Sequence, residues 1–259
     1  MLDLAVELEF VKTLAIEAAV TAKARCQRVT LHEKSNLSYV TDLDNDLERL
    51  IRKRLGGRFP DDVLSGEEYG IEGGTGQRRW SIDPIDGTGN MVHGLPLWAI
   101  SIGLLVAGEP VLGVIAIPPL DELFWAVKGA GAWLDTRRLM VQDADTFHNQ
   151  DNVCVGTNAL GAVDPRSLPG RLRGLGSACC EQTFLAANRL QATTFLGEQA
   201  HDVAAGVVIT SEAGCGYGTI HGERLSPAEM VRRTPITVPT FVAPPRRLKA
   251  LMAMARPLG

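Results

Sequence analysis

The sequence is organised around Trp80-Ser81-Ile82-Asp83-Pro84-Ile85-Asp86-Gly87-Thr88-Gly89-Asn90. In this segment an apolar run leads into two aspartates, Asp83 and Asp86, with a proline between them. Because proline fixes its own φ and favours an extended conformation at the preceding residue, we expect a turn that brings both carboxylates to one side. Gly87 permits close approach of the backbone, and we expect Thr88 or Asn90 to cap a short helix that follows. Two converging carboxylates beside a helix N-terminus predict a site for a hard divalent cation and a phosphate group.

The composition is that of an ordinary globular protein. The 259 residues are 45% hydrophobic and 22% charged, with a formal net charge of −4, and this length is sufficient for a sizeable core. The absence of any basic block argues against nucleic-acid binding. No apolar run approaches the roughly 18 residues of a membrane span.

Two further features bear on location. The N-terminus lacks the basic region of a signal peptide. The five cysteines are odd in number and without metal-site spacing, which favours small buried residues in a reducing compartment. We therefore expect a cytoplasmic protein.

Apolar spacing predicts helices layered on sheets in two lobes, 1–145 and 146–259, divided by a polar stretch at 143–151. In the first lobe we predict helices over 4–26 and from Thr41 to a stop at Gly56-Gly57, and antiparallel strands over 97–106, 111–117 and 123–127. In the second lobe we predict strands over 153–155, 193–196 and 215–220, and helices over 180–190, 202–213 and 246–255.

Three acidic positions stand out beside Asp83 and Asp86. Glu67 follows a short apolar strand, Asp44 lies in a first helical turn beside Thr41, and Asp202 is expected to open an apolar helix. Taken singly, each has an ordinary explanation as a helix-capping or solvated turn residue.

The order of the acidic motifs along the chain is far more specific. It runs from Val40-Thr41-x-x-Asp44 through Gly66-Glu67-Glu68 and the segment 83–90 to Asp202-Val203-Ala204-Ala205-Gly206 and Glu212-Ala213-Gly214. In this order and spacing the chain resembles the inositol monophosphatase family of Mg²⁺-dependent, lithium-sensitive phosphatases. Matching stretches at 94–103, 113–118 and 129–132 extend the resemblance over nearly the whole chain. It implies an α+β fold, a layered αβαβα sandwich of the inositol monophosphatase and fructose-1,6-bisphosphatase type, and a homodimer.

The resemblance also implies a set of Mg²⁺ ligands. Glu67, Asp83 and the backbone carbonyl of Ile85 would hold one Mg²⁺, and Asp83, Asp86 and Asp202 a second, with Asp83 bridging. Glu67 and waters would hold a weaker third, so that two or three ions are expected in each site. Oxygen ligands of this kind suit hard cations.

The remaining site residues follow from the same resemblance. A metal-activated water, oriented by Glu67 and by Thr88 paired with Asp44, would attack phosphorus in line, without a phospho-enzyme. The substrate would be a small phosphorylated polyol or sugar, and its binding residues would be Asp86, Gly87, Thr88, Ser177, Ala178 and His201. Lys34 matches the lysine of a loop that precedes the second helix, where it orders the loop around a metal or is a solvated surface residue.

The sequence departs from the family pattern at the substrate side. His201 stands where the family usually has tryptophan, and it is expected either to contact phosphate, a substrate hydroxyl or the metal surroundings, or to fill the tryptophan's space. The glutamate that contacts polyol hydroxyls in inositol-cleaving members falls, by spacing, on Phe195, whereas Glu198 is displaced by three residues. Gly89 and Met91 replace a threonine and a phenylalanine beside the site.

Several functions remain open. The first is a Mg²⁺-dependent phosphomonoesterase, with inositol monophosphate as the family default. Related enzymes cleave fructose 1,6-bisphosphate, histidinol phosphate or the 3′-phosphate of adenosine 3′,5′-bisphosphate; Gly89-Asn90 disfavours the nucleotide enzymes, and Asn90 the histidinol-phosphate type. An alternative of another class is a non-catalytic regulatory binding protein.

Overall fold

The computed structural model describes residues 3–33 and 39–258, and Lys34 lies outside this part of the chain. The described residues form α1 (Ala5–Arg25), α2 (Asp42–Arg58), α3 (Thr88–Val92), α4 (Thr157–Leu160), α5 (Ala178–Ala186), α6 (Ala200–Glu212), α7 (Pro227–Arg232) and α8 (Pro245–Met254). Two 3₁₀ turns lie at Pro118–Leu120 and Pro165–Ser167.

The strands form a two-stranded ribbon and two larger sheets. They are β1 (Leu31–Glu33), β2 (Tyr39–Thr41), β3 (Val63–Gly66), β4 (Gly70–Gly73), β5 (Arg78–Asp86), β6 (Ala99–Val106), β7 (Glu109–Ile117), β8 (Glu122–Val127), β9 (Gly131–Leu134), β10 (Arg137–Leu139), β11 (Asn152–Val155), β12 (Arg171–Arg173), β13 (Ala192–Phe195), β14 (Gly216–Thr219), β15 (Arg224–Leu225) and β16 (Thr240–Ala243). The first large sheet has the order β10-β9-β8-β7-β6-β5-β3-β4 and the second β12-β11-β13-β16-β14-β15. Only the β3–β5, β11–β12 and β11–β13 pairs among these described strands are parallel.

Five layers alternate through the molecule. Helices α1 and α2 cover one face of the eight-stranded sheet, α5 and α6 lie between the two sheets, and α8 covers the outer face of the six-stranded sheet. Strand β7 is buried along nearly its whole length because helices cover both of its faces. The structure thus has the predicted αβαβα sandwich.

Helix α6 lies unusually close to the first sheet. A methyl group added at Gly113 of β7 would lie 2.2 Å from the carbonyl oxygen of Ala205, and one added at Gly103 of β6 would lie 2.9 Å from the nitrogen of Ala205. The two glycines therefore allow backbone-to-backbone contact, and residues Val203 to Thr210 of α6 are all buried between the sheets. This close contact sets the distance between the N-terminus of α6 and the end of β5.

Element types agree with the sequence predictions, whereas several ends do not. The predicted stop of α2 at Gly56-Gly57 is wrong: the helix continues to Arg58 because Phe59 packs against Phe10 and Trp80, at ring-centroid distances of 5.5 and 5.4 Å. Such contacts outweigh the roughly 1 kcal/mol cost of a helical glycine.

The helix predicted over 180–190 begins and ends earlier, at Ala178 and Ala186. Ser177 caps its start, and Asn188 takes a left-handed conformation (φ 62°) that a continuing helix would not allow. None of the described helices combines the length and apolar character needed to cross a bilayer.

Candidate active site

The acidic end of β5 contains a β-bulge. Asp83 pairs with Ser101 of β6 and Asp86 with Ala99, so three steps along β5 face two steps along β6. Side chains of a regular strand alternate between faces, and the extra residue places Asp86 on the same face as Asp83. Proline is tolerated here because a bulge interrupts the hydrogen-bond ladder. The predicted turn is therefore a bulge inside a strand, and it produces the expected convergence of the two carboxylates.

The short helix α3 follows directly, but its predicted capping is wrong. Its N-cap is Gly87, in the left-handed region at φ 88°, and neither Thr88 nor Asn90 caps it. The Thr88 hydroxyl donates instead to the carbonyl oxygen of Ile85 and to Oδ1 of Asp44, both at 2.9 Å. The Asn90 amide donates to two backbone carbonyls of neighbouring loops, at 2.6 and 2.7 Å. A glycine is required at the cap, since only it adopts this φ without strain and a Cβ there would lie 3.0 Å from a carbonyl oxygen.

Asp44 is fixed on the first turn of α2 by the predicted capping arrangement. Its Oδ2 accepts hydrogen bonds from the backbone N–H and the hydroxyl of Thr41, at 2.8 and 2.5 Å. Burial raises the pKa of Asp44, although these hydrogen bonds and that from Thr88 oppose the rise. Asp44 and the Ile85 carbonyl thus share the one hydrogen of the Thr88 hydroxyl, which leaves the hydroxyl oxygen able to accept a hydrogen bond.

Asp86 is held by the start of α5. Its Oδ2 accepts a short hydrogen bond from the Ser177 hydroxyl and a 2.7 Å bond from the backbone N–H of Cys179. Both donors bind the same oxygen, so Oδ1 is available to a cation. Ser177, predicted to bind substrate, therefore also orients a predicted metal ligand.

Asp202 lies in the first turn of α6, three residues after the N-cap, and does not open the helix as predicted. The N-cap is Gln199, whose backbone N–H donates to Oδ2 of Asp202 at 2.5 Å. The side chain of Gln182 donates to the Asp202 carbonyl at 2.9 Å and ties α5 to α6. Oδ2 of Asp202 is thus held by the helix N-cap, and Oδ1 lies on the side of His201, 3.5 Å from its Nε2.

Glu67 is positioned by a buried ion pair that sequence reasoning missed. The backbone N–H groups of Glu68 and Tyr69 donate to the Glu48 carboxylate at 2.7 and 3.2 Å, and Glu48 pairs with Arg52 at 2.7 Å. Glu48 is fully buried and Arg52 only 6% exposed. In the sequence this pair has the four-residue spacing of an ordinary surface ion pair on a helix, so only the loop packed above it reveals its role.

These elements bring the acidic groups together in two clusters. Ligand atoms of Asp83, Asp86 and Asp202 all lie within 4.8 Å of one another, and so do those of Glu67, Asp83 and His201. Asp83 belongs to both clusters, as the predicted bridging role requires. His201, predicted on the substrate side, lies with Glu67 and Asp83, and its Nε2 is 3.5 Å from Oδ1 of Asp202.

The electrostatics of the clusters fit a divalent cation. Burial, followed by the charges of Glu67, Asp86 and Asp202, raises the pKa of Asp83 well above its usual value. Burial also raises the pKa of Asp86 and of Asp202 to about 6. In residues 3–33 and 39–258, no lysine or arginine forms an ion pair with Asp83, Asp86 or Asp202. Buried carboxylates crowded in this way favour a bound cation, and a donor set rich in carboxylate oxygen suits Mg²⁺.

A cavity of about 490 Å³ opens beside the clusters. It is lined on one side by Asp86, Ser177, Ala178 and Asp202 and on the other by Gly156, Glu181 and Glu198. Burial raises the pKa of both Glu181 and Glu198 to about 7. Among the residues that line it, Asp86, Glu181, Glu198 and Asp202 are the charged ones, so the described wall contains no basic side chain.

Phe195 and Glu198, where the sequence departs from the family pattern on the substrate side, lie in different surroundings. Phe195, at the position of the polyol-binding glutamate, is 1% exposed and packs in the core between α6 and the second sheet. Glu198 lines the cavity, and its Oε2 is buried without a hydrogen-bond partner. The sequence spacing points to Phe195, but the structure places Glu198 in the wall.

Comparisons with known proteins agree with this geometry. Residues 3–257 match the model of the inositol monophosphatase family. An inositol-1-monophosphatase from Rhizobium meliloti is 36% identical over 203 residues, 74% of this chain and 76% of that protein. A histidinol-phosphatase from Chlorobaculum parvum is 36% identical over 184 residues, covering 68% and 70%. The crystal structure of extragenic suppressor protein suhB from Bartonella henselae superposes with a TM-score of 0.84 at 26% identity, covering 96% of this chain and 98% of that one.

Proposed function

The chain belongs to the inositol monophosphatase family, and from this premise we propose that it is a Mg²⁺-dependent phosphatase that hydrolyses the monophosphate of a small polyol or sugar. The observation that carries the proposal is Asp83, a buried carboxylate shared by two ligand clusters, one of which lines a cavity through Asp86 and Asp202. Two cations about one bridging carboxylate are typical of sites that displace a phosphate ester in line.

We assign the cations to the residues predicted from the sequence. Glu67, Asp83 and the carbonyl of Ile85 would hold one, and Asp83, Asp86 and Asp202 would hold the other. When bound, the cations neutralise phosphate charge and lower the pKa of water. The Thr88 hydroxyl, whose hydrogen is committed to Asp44 and Ile85, accepts a hydrogen bond from the attacking water and thereby orients it.

Glu67 is the proposed proton acceptor for this water, because its carboxylate is held beside Asp83 by the loop that Glu48 fixes. The backbone N–H groups of Gly87 and Thr88 are the proposed donors to the phosphate oxygens, which can approach closely since Gly87 lacks a side chain. Ser177 and Ala178 form the adjoining wall of the substrate cavity.

The cavity wall favours a monophosphate over a bisphosphate. A second phosphate group normally requires a basic partner, and the described lining offers Glu181 and Glu198 instead. Glu198, whose Oε2 has no hydrogen-bond partner, is the group we assign to the substrate hydroxyls in place of the family's glutamate. Fructose 1,6-bisphosphate and adenosine 3′,5′-bisphosphate therefore become weaker candidates than inositol monophosphate.

The same acidic wall supports a second candidate, histidinol phosphate. Although Asn90 disfavours this substrate, Glu181 and Glu198 form a carboxylate pair above pH 7 that suits an alcohol bearing a cationic amine. The histidinol-phosphatase from Chlorobaculum parvum is 36% identical to this chain over 184 residues. The two candidates differ in charge, so Glu198→Gln separates them. It should raise KM about tenfold or more for histidinol phosphate but much less for inositol 1-phosphate, whose hydroxyls still find a hydrogen-bonding side chain.

The decisive experiment is phosphate release from inositol 1-phosphate, fructose 1,6-bisphosphate, histidinol phosphate, adenosine 3′,5′-bisphosphate and glycerol 2-phosphate, with and without Mg²⁺. Wild type is compared with Asp86→Asn and with Asp61→Asn, which alters an exposed aspartate before β3. We expect Mg²⁺-dependent turnover that falls at least about a hundredfold in Asp86→Asn only. Neither turnover nor Mg²⁺ binding in a folded protein would overturn the proposal and favour a non-catalytic regulatory binding protein.

Three broader assignments belong to the same proposal. Residues 1–145 and 146–259 act as two lobes, supported by a first large sheet within 63–139 and a second within 152–243. The location is cytoplasmic, supported by five cysteines that are free in the structure. The homodimer rests on the family alone, and light scattering of the purified protein tests it.

A further inference from the structure

His201 is the residue at the site that the family pattern does not explain. One ring nitrogen lies within 4.8 Å of carboxylate oxygens of both Glu67 and Asp83. The side chain is 21% exposed, and its Nε2 lies 3.5 Å from Oδ1 of Asp202. The ring therefore lies beside the carboxylates of three residues, which argues against a role of merely filling the space of a tryptophan.

The ring is also carried by a rigid support. His201 is the second residue of α6, a helix held against the sheet at Gly113 and tied to α5 through Gln182. Little ordering entropy remains to be lost when such a side chain binds a ligand, and preorganised side chains make effective metal ligands.

We propose that His201 supplies an imidazole nitrogen to the cation held by Glu67 and Asp83. This inference deepens the proposed function, since it requires that Glu67 and Asp83 bind a cation. One cluster then offers carboxylate oxygens alone, from Asp83, Asp86 and Asp202, and the other offers both oxygen and nitrogen.

A mixed donor set changes metal preference. Imidazole binds Mn²⁺, Co²⁺ and Zn²⁺ more readily than Mg²⁺, and for a given site of nitrogen and oxygen ligands affinity rises from Mn²⁺ to Co²⁺. The site that contains His201 should therefore accept transition-metal ions more tightly than a purely carboxylate site, while the all-oxygen site keeps its preference for hard cations.

The test uses the metal-free full-length protein titrated with Mn²⁺, Co²⁺ or Mg²⁺ alone at pH 8. Pulsed electron paramagnetic resonance of bound Mn²⁺ should show coupling to a ¹⁴N nucleus in wild type. The coupling should be absent in His201→Phe, which keeps an aromatic ring, and retained in the control His221→Gln, which alters an exposed histidine outside the clusters. By calorimetry, His201→Phe should weaken Co²⁺ binding about tenfold or more and Mg²⁺ binding much less.

Two results would overturn the inference. If bound Mn²⁺ shows no ¹⁴N coupling in the wild-type protein, a nitrogen ligand is excluded. This result does not depend on whether any variant folds. Equal loss of Co²⁺ and Mg²⁺ affinity in His201→Phe would indicate a general disturbance of the site. Phosphate release measured in parallel separates the two proposals. Turnover without ¹⁴N coupling would contradict only the proposal that His201 is a ligand. Coupling to ¹⁴N without turnover on any substrate would support the His201 ligand and contradict the proposed phosphatase activity.

Discussion

Asp86 should destabilise the metal-free protein even though it is a proposed metal ligand. Burial and the charge of Asp202 raise its pKa from 3.8 to about 6. A displacement of this size corresponds to about 3 kcal/mol against folding when the carboxylate is ionised. Asn in its place can still accept the hydrogen bonds of Ser177 and Cys179. We therefore expect Asp86→Asn to stabilise the metal-free protein by about 1–3 kcal/mol at pH 8, the lower figure allowing for the water that screens a cavity wall.

The sign of the pH dependence follows from the same pKa. Because the folded value lies above 3.8, the native state binds more protons than the unfolded state between about pH 4 and 6. The stability that protonated Asp86 contributes is complete below about pH 4 and is lost as the pH rises through 6. The advantage of Asp86→Asn over wild type should therefore disappear near pH 4 and be complete at pH 8.

The assay is thermal unfolding after treatment with EDTA, followed by the same scan with excess Mg²⁺. Each kcal/mol corresponds to about 2–4 °C in Tm for a chain near this size. Mg²⁺ at about a hundred times its Kd should stabilise wild type by about 2.7 kcal/mol and the variant much less, which reverses their order. The reasoning is refuted if Asp86→Asn is no more stable than wild type in EDTA at pH 8 while Asp61→Asn is unchanged.

Three further substitutions, and a control at Gly57, test the residues that support the site. Gly113→Ala places a Cβ 2.2 Å from the carbonyl oxygen of Ala205, so urea unfolding should show that the free energy of unfolding falls by at least about 1–3 kcal/mol. The control Gly57→Ala lies in helix α2, and its Cβ would meet nothing within 4 Å. It should raise the free energy of unfolding by about 0.5–1 kcal/mol. Glu48→Gln leaves the buried Arg52 guanidinium with only the exposed Glu72, 3.3 Å away, as a charge partner and should cost about 1–3 kcal/mol, with weaker Mg²⁺ binding in calorimetry as the loop that carries Glu67 loosens. Thr88→Val should lower kcat by about 10²–10⁴ while Mg²⁺ affinity stays within about threefold, a split that steady-state kinetics and calorimetry measure together.

The helices and strands could be predicted from the sequence because their signals are local and redundant, whereas the αβαβα layer order was implied by the family resemblance. The apolar residues of α1 recur at helical spacing, and so do the apolar residues of α2, which are Leu43, Leu47, Ile51 and Leu55. Helix ends depend on contacts that are distant in the chain. The glycines of α2 indicate a stop in isolation, and only the packing of Phe59 against Phe10 and Trp80 carries the helix past them.

In the candidate site, too, local features could be predicted from the sequence, whereas contacts that are distant in the chain could not. The convergence of Asp83 and Asp86 follows from a proline and a register shift within one strand, so the sequence predicts it. The groups that orient these carboxylates lie far away in the chain, as Cys179 does for Asp86, and donate through the backbone. A backbone N–H has no signature in the side-chain pattern, so no spacing rule could have identified it.

Charge balance links the ligand set to the number of cations. Glu67, Asp83, Asp86 and Asp202, when ionised, together carry the charge that two divalent cations neutralise. A third cation bound before the substrate would exceed the charge of these four carboxylates, which is unfavourable in a largely buried site. The dianion of a phosphate monoester supplies the missing negative charge, so we expect any third cation to bind with the substrate and not before it. His201 leaves this balance unchanged because a neutral imidazole adds a donor atom without adding charge. On the proposed assignment, the acidic residues would set how many cations bind, and His201 would set which ones.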